Sequence, residues 1–329
     1  MERAARIEST GGPEVIGWHD VELPPPGPGE VRMRHGAVGL NFIDTYHRGG
    51  LYPIRLPSGL GLEAAGTIEA VGEGVAEWRP GDRAGIFAGP PGAYATARNV
   101  AADLLVRLPD TVDDRTAAAI MLKGATAAFL VEHCARVRAG QTVLVTAAAG
   151  GVGHLLVAWL KAVGATVIGT VGTEAKAARV REAGADHVLL SSGNVASRVR
   201  EITDGEGVPV VLDGVGQATW GAALASAGRR GLIVSYGNAS GPVEGVNLGV
   251  LARHGSLFVT RPTLFDYAVT PAERQTLADR VFAMLADGAI RPEIGQTFAL
   301  EDAAEAHRTI EAGSTQGSTV LMPEVSSEQ

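Results

Sequence analysis

The sequence predicts an α/β chain: a β-rich segment over residues 1–122, a doubly wound parallel sheet over 123–264, and a tail, 265–329, that returns to the first segment. Three observations predict it. Residues 3–120 break into short apolar stretches at Gly and Pro turns, as in LPPPGPGEV at 23–31 and GTIEAVGEGVAEWRPGDRAGIF at 66–87. After Gly140, apolar strands alternate with helical stretches. The length, 329 residues, exceeds the roughly 100–200 of a single ordinary domain.

Taken in order, the first long helical pattern begins near Asp114, where RTAAAIMLKGATAAFLVEHC is rich in helix formers with apolar residues at three-to-four spacing. TVLVTA (142–147) is a compact strand, followed by AAGGVG and the apolar helix HLLVAWLKAV. Strands then fall at 165–171, 187–190, 209–215, 231–237 and 256–262, with helices near 174–183, 194–203 and 217–227 between them. Strands apolar throughout and separated by helices mean a parallel sheet covered on both faces, and right-handed crossovers make it doubly wound. The tail holds two helices, about 271–287 and 301–312, and a last strand near 318–322, before a frayed EVSSEQ end.

Composition narrows the function. Apolar residues make up 46% of the chain and charged ones 19%, which excludes a disordered protein. The 28 Lys and Arg against 36 Asp and Glu leave a net charge of −8, so there is no global attraction to nucleic acid or anionic lipid. Cys134 is the only cysteine, which excludes an intrachain disulfide and every multi-cysteine metal site. No apolar run approaches the roughly 18 residues of a membrane span, and MERAARIEST lacks the apolar core of a secretory signal. A cytoplasmic setting is the expectation.

The sharpest local signal is VLVTAAAGGVGHLL at 143–156. A dinucleotide turn needs a tight bend after the strand, a glycine where pyrophosphate meets backbone, and another where helix packs on strand. Gly150 and Gly153 supply the second and third positions, Ala148 stands at the first, and Gly151 and Val152 complete the turn. Backbone N–H groups at the helix start then face the phosphates. At the end of the next strand, positions 170–173, which include Gly172 and Thr173, carry no charge, and Lys176 and Arg179 follow one turn later. That pattern suits a 2′-phosphate and favours NADPH, unless Glu174 turns inward. Tyr236, Gly237 and Asn238 in GLIVSYGNASG follow another strand end and are candidate walls of the nicotinamide pocket, whereas Asp213 can be read as a turn former.

Metal-polarised chemistry finds no ligand set: Cys134 has only His133 beside it, and Glu63 in GLGLEAAG lacks an adjacent histidine. What remains is GLNFIDTYHRGGLYP at 39–53, with Asn41, Asp44, Tyr46 and Tyr52. Its tyrosines either sit as amphipathic residues at a loop–core boundary or stack on a planar acceptor. Asp44 reads as a cap of the following turn rather than an acid–base group. Lys123 and Thr126, three apart on one helical face, are either plain surface or, if that face borders the ligand, a contact to the nicotinamide end.

These segments resemble the zinc-free quinone oxidoreductases, the zeta-crystallin-like branch of the medium-chain dehydrogenase/reductases. GGPEV at 11–15, GLNFIDTYHRGGLYP, PSGLGLEAAG at 57–66, LKGATA at 122–127, AAAGGVG at 147–153, GTVGT at 169–173, SYGNASG at 235–241, VTRP and TQGST carry the likeness along the whole chain. The resemblance implies a GroES-like β-rich catalytic domain split around a Rossmann domain, with NADPH in the cleft and a quinone as acceptor. Carried over by motif, Asn41, Tyr46 and Tyr52 line the quinone side, with Thr126 near the cofactor. Ala148, Gly150, Gly151, Val152 and Gly153 hold pyrophosphate, Lys176 reaches the 2′-phosphate, and Gly237, Asn238 and Arg261 touch the cofactor. Ser191 stands where NADPH-using bacterial relatives often carry tyrosine, a hydrogen-bonding group without the aromatic cover. The resemblance also implies a homodimer, joined along the edge strand at 256–262.

The expected reaction is direct transfer of reducing equivalents from nicotinamide C4 to the quinone, with alignment and exclusion of water as the main contributions of the protein. Hydrogen bonds from Asn41 or the tyrosines would answer charge developing on the quinone oxygen. Two rivals stand beside it: an enoyl or 2-alkenal reductase, with Tyr52 or Tyr46 as proton donor, and a non-catalytic NADPH-binding crystallin-like or RNA-binding protein.

Overall fold

Residues 1–323 are described by the structure, a computed structural model, and the EVSSEQ end lies outside them. The chain divides into two units. One comprises Met1–Ala125, Ala268–Phe282 and Pro292–Gln329, the other Thr126–Tyr267 and Ala283–Arg291. The divisions fall a few residues after the sequence boundaries, and a short stretch of the tail, Ala283–Arg291, groups with the second unit.

The second unit is built on six parallel strands in the order His187–Leu190, Thr166–Val171, Thr142–Val145, Val208–Asp213, Ala227–Ser235, Phe258–Thr260. Central strands read Val, Ile and Leu almost continuously because helices cover both faces; Leu144, Ile168, Val211 and Ile233 are all buried. Strand order reverses between Thr142–Val145 and Val208–Asp213, so the glycine-rich turn sits at the topological switch point.

In the first unit a seven-stranded sheet runs Ile294–Ala299, Ser318–Met322, Glu30–Leu40, Glu63–Val71, Arg83–Ile86, Val106–Arg107, with Ala97–Ala101 also paired to Glu30–Leu40. The eleven-residue strand Glu30–Leu40 is the organiser, since it is long enough to hold three partners at different points along its length. Ser318–Met322 pairs with its carboxyl end, placing Thr319 opposite Leu40, so the tail does return to the first segment. The core gathers Ile7, Met33, Leu40, Leu60, Ile68 and Tyr94, none more than 1% exposed.

Two expectations need correction. Residues 42–49 form a helix, Phe42–Gly49, where the sequence suggested only short apolar stretches; about two turns are too few to display helical periodicity. Asp114–Cys134, a helix whose last six residues wind as a π-helical turn, is long and apolar enough to cross a membrane by length and composition, although most of it is buried within the protein. Its run of small alanines carries few charges, which is also what a packed core helix requires.

Candidate active site

All six strands of the second unit run one way, so the residues that follow them gather along one sheet edge. Ala148, Gly172, Thr173, Ser191, Tyr236, Gly237, Asn238 and Arg261 all follow strand ends on this edge. Ala148 donates its N–H to Thr170 O at 2.9 Å, Ser191 to Val171 O at 2.8 Å, and Tyr236 to Asp213 O at 2.8 Å, which ties neighbouring strand ends together. Asn238 is buried, Arg261 is exposed and Thr126 is half-buried within helix Asp114–Ala128.

The turn before helix Gly151–Val163 has the shape of an anion cradle. Gly150 is its N-cap and no side chain caps the helix. A Cβ at Gly153 would lie 2.2 Å from Ala147 O and 2.9 Å from Ala148 Cα, so the helix can approach the turn only with glycine there. At Gly150, which is exposed, an added Cβ would meet only Ala147 O, at 3.2 Å. The protein itself leaves that space open, and a negative group placed in it faces the helix start. Thr173 is the N-cap of helix Glu174–Glu182, and Lys176 lies half-buried in its first turn. Glu174 does not turn inward; it pairs with Arg181 of its own helix at 3.4 Å.

Asp213 does more than form a turn. Fully buried, its carboxylate accepts from Thr146 Oγ1 at 2.6 Å and Thr219 Oγ1 at 2.7 Å, and from the N–H groups of Val215 and Gly216, each at 3.2 Å. It thereby pins the two strand ends at the switch point.

In the first unit, Asn41 is the N-cap of Phe42–Gly49 and Asp44 accepts the Asn41 N–H at 3.0 Å, the capping role its position suggested. Tyr46 and Tyr52 meet edge to face with ring centroids 5.0 Å apart, and Phe42 packs on Tyr46 at 5.4 Å. The Asn41 side chain has its donors engaged within the protein. Its Nδ2 donates to Glu63 Oε2 at 2.7 Å and reaches Gly39 O at 3.4 Å. A carboxylate only accepts, so the amide's donor end is committed to Glu63, while its carbonyl oxygen faces the Asp44 backbone N–H in the capping box.

Glu63 stands opposite Gly39 in the strand register, and a Cβ at Gly39 would lie 2.3 Å from Glu63 Oε2, so that glycine makes room for the carboxylate. Oε1 accepts the Leu122 N–H at 2.7 Å, and Lys123 Nζ lies 3.6 Å from Oε2. Burial raises the Glu63 pKa, while Lys123 and the Asn41 and Leu122 hydrogen bonds pull it back.

Beyond Asp44 runs a buried chain of polar groups. Tyr94 OH donates to Asp44 Oδ2 at 2.9 Å and lies 3.0 Å from His307 Nε2. Arg48 Nη1, 2.9 Å from His307 Nδ1, can only donate there, so the neutral imidazole carries its proton on Nε2 and gives it to Tyr94. Arg48 also forms two hydrogen bonds with Glu311. Burial pushes Asp44 up to about 7 and His307 down to about 3, the latter helped by the Arg48 charge. The chain locks helix Phe42–Gly49, and with it Asn41 and Tyr46, against helix Ala303–Glu311.

Glu63, Tyr94, Arg48 and His307 were missed as site-building residues. Tyr94 and His307 are 213 positions apart, and no local pattern announces such a pair. Among the described residues, no group of three or more His, Cys, Asp or Glu side chains gathers that could hold a metal ion.

Comparison with known proteins agrees with this architecture. The alcohol dehydrogenase GroES-like domain matches residues 27–110 and the zinc-binding dehydrogenase family matches 151–282. A quinone oxidoreductase from Pseudomonas aeruginosa is 51% identical, covering 98% of this chain and all of its own length. A 2-haloacrylate reductase from a Burkholderia species is 41% identical over the same shares. The crystal structure of Escherichia coli quinone oxidoreductase complexed with NADPH superposes with a TM-score of 0.95 at 42% identity, covering 98% of this chain and all of that one. By fold, motif order and full-length identity, the chain belongs to the zinc-independent, zeta-crystallin-like quinone oxidoreductase branch of the medium-chain dehydrogenase/reductases.

Proposed function

We propose that the chain is an NADPH:quinone oxidoreductase that works without a metal, converting NADPH, a quinone and one proton to NADP and the hydroquinone. The observation that carries this is the uncapped helix start at Gly150–Gly153, with room for a phosphate where Gly150 lacks a side chain and Lys176 one turn into the next helix. The full-length relatives named as quinone oxidoreductases, and the NADPH held by the Escherichia coli protein, support it.

When bound, the reduced nicotinamide supplies a hydride. The remaining work belongs to the chain's own side chains. Backbone N–H groups of Gly151 and Val152 would face the diphosphate, and the Lys176 ammonium would pair with the 2′-phosphate, where uncharged Gly172 and Thr173 offer no repulsion. Ser191, Tyr236, Gly237, Asn238 and Arg261, on the same sheet edge, would complete the cofactor contacts, together with Thr126. The Tyr46–Tyr52 pair would present an aromatic face to the quinone ring, with Asn41 lining the same side.

NADPH and NADH oxidation should be followed separately against a panel of quinones and 2-alkenals. Quinone-dependent NADPH loss is expected, with Lys176→Glu weakening NADPH use at least about tenfold while folding stays intact. Unchanged NADPH selectivity in that variant would remove Lys176 from the site. Turnover of 2-alkenals with negligible quinone activity would instead favour the second reading, an activated-alkene reductase, to which the 2-haloacrylate reductase relative gives specific support.

A second copy of the chain is the proposed partner. Phe258 and Val259 on the outer strand are 61% and 39% exposed, an apolar edge that a two-fold strand pairing would cover.

A further inference from the structure

Lys123 is a charged residue in an otherwise uncharged buried stretch of helix, Ala117 to Ala125. It is 5% exposed, and its Nζ has no hydrogen-bond partner. Glu63 is its ion-pair partner, but Oε2 lies 3.6 Å away, beyond hydrogen-bond distance, and also accepts from Asn41 Nδ2 at 2.7 Å, while Oε1 accepts the Leu122 N–H. An ammonium placed only to balance Glu63 would close on it to the roughly 2.8 Å of a charge-assisted hydrogen bond. The ammonium is held instead in a buried position with only this long ion pair, so its N–H donors have capacity for an incoming acceptor oxygen. Asp44, whose Oδ1 is likewise buried and unpartnered, also feels the Lys123 charge.

Asn41 cannot supply that donor, because its own amide N–H groups are turned to Glu63 and Gly39. We propose that Lys123 is a further catalytic residue, whose ammonium donates to the acceptor's carbonyl oxygen beside Asn41 and stabilises the negative charge that develops on it. The proposal rests on the quinone reductase reading. In the step, hydride brings two electrons and one hydrogen to the quinone, leaving a hydroquinone monoanion. Its oxyanion accepts a hydrogen bond from Lys123 and then takes one proton from solvent, so Lys123 ends the cycle as the ammonium it began. Glu63, 3.6 Å away, keeps the ammonium in place without closing on its donors.

Two variants test this: Lys123→Met, and the double variant Lys123→Met/Glu63→Gln, which removes both charges and so does not strand a buried carboxylate. The activity-independent probe is 4-nitrophenol, whose visible spectrum reports whether it is bound as phenol or phenolate. Wild-type protein is expected to bind the phenolate in preference, and both variants to lose that preference by at least about tenfold. Quinone kcat should fall about 100-fold, the usual loss for one oxyanion donor, while NADPH affinity measured by nucleotide fluorescence stays within about threefold. Lys123→Arg should recover part of the turnover. A folded double variant that keeps wild-type kcat and the phenolate preference would overturn the proposal. Wild-type protein that binds nitrophenolate through Lys123 yet reduces no quinone would overturn the quinone reading and uphold the anion-facing ammonium.

Discussion

Replacing Tyr94 by Phe removes one oxygen from the middle of the Asp44–Tyr94–His307 chain and leaves the ring in place. The Tyr94 ring meets His307 edge to face at 5.7 Å and is fully buried, so little repacking is expected. Two groups lose a partner. His307 Nε2–H loses its acceptor, and Asp44 Oδ2 loses one of two donors, retaining the Asn41 N–H. An orphaned buried polar group costs about 1–3 kcal/mol, and Asp44 is only half orphaned, so the variant should lose about 2–4 kcal/mol of stability. The loss depends on pH. Tyr94 holds the Asp44 pKa down, so without it that value rises beyond about 7, and the deficit grows as pH climbs from 6 to 8. Urea unfolding at both pH values measures this as a lower midpoint at unchanged slope. A loss below about 0.5 kcal/mol, equal at both pH values, would show that the chain of hydrogen bonds carries no such energy.

Three other outcomes follow from the geometry. Gly150→Ala should fold normally and lose NADPH affinity at least about tenfold, whereas Gly153→Ala should lower the melting temperature itself, because only the second places a Cβ against backbone at 2.2 Å; calorimetry with and without NADPH separates them. His35 and His307, both pushed down to about 3 by burial, stay neutral in the fold but take protons near 6.5 when unfolded, so stability falls with pH below 6.5; Asp44, raised to about 7, opposes one of them. Near pH 5 these three groups approach one net proton, about 1.4 kcal/mol per pH unit, a slope that fades toward pH 6.5, and Asp44→Asn should roughly double it near pH 5; a flat profile in both would refute the assignment. Phe258→Glu should shift the protein towards the monomer in analytical ultracentrifugation, and an unchanged sedimentation coefficient would move the proposed interface elsewhere.

Legibility differed between the two units for a physical reason. The nucleotide-type sheet is assembled from contacts near in sequence: strand, turn and helix follow one another, so alternation and a glycine turn at 147–153 reveal the edge where Ala148, Ser191 and Tyr236 emerge. Even the lack of a charge at 170–173 could be read, because it lies at a strand end whose place in the sheet was known. The first unit is closed by the tail. Ser318–Met322 pairs with Glu30–Leu40, and His307 reaches Tyr94 and Arg48, across separations that leave no periodic trace.

Asn41 marks the boundary between the two kinds of knowledge. Sequence alone established that an amide, two tyrosines and an acid occur within twelve residues, that no cysteine–histidine set accompanies them, and that a dinucleotide turn lies downstream. Which way the amide faces was decided by Glu63, brought opposite Gly39 through sheet register, and by Lys123, brought beside both by a helix from farther along the chain. Strand and turn propensities act between neighbours and are written in order along the chain. A buried charge finds its partners only when the sheet closes, and that pairing is set by tertiary packing.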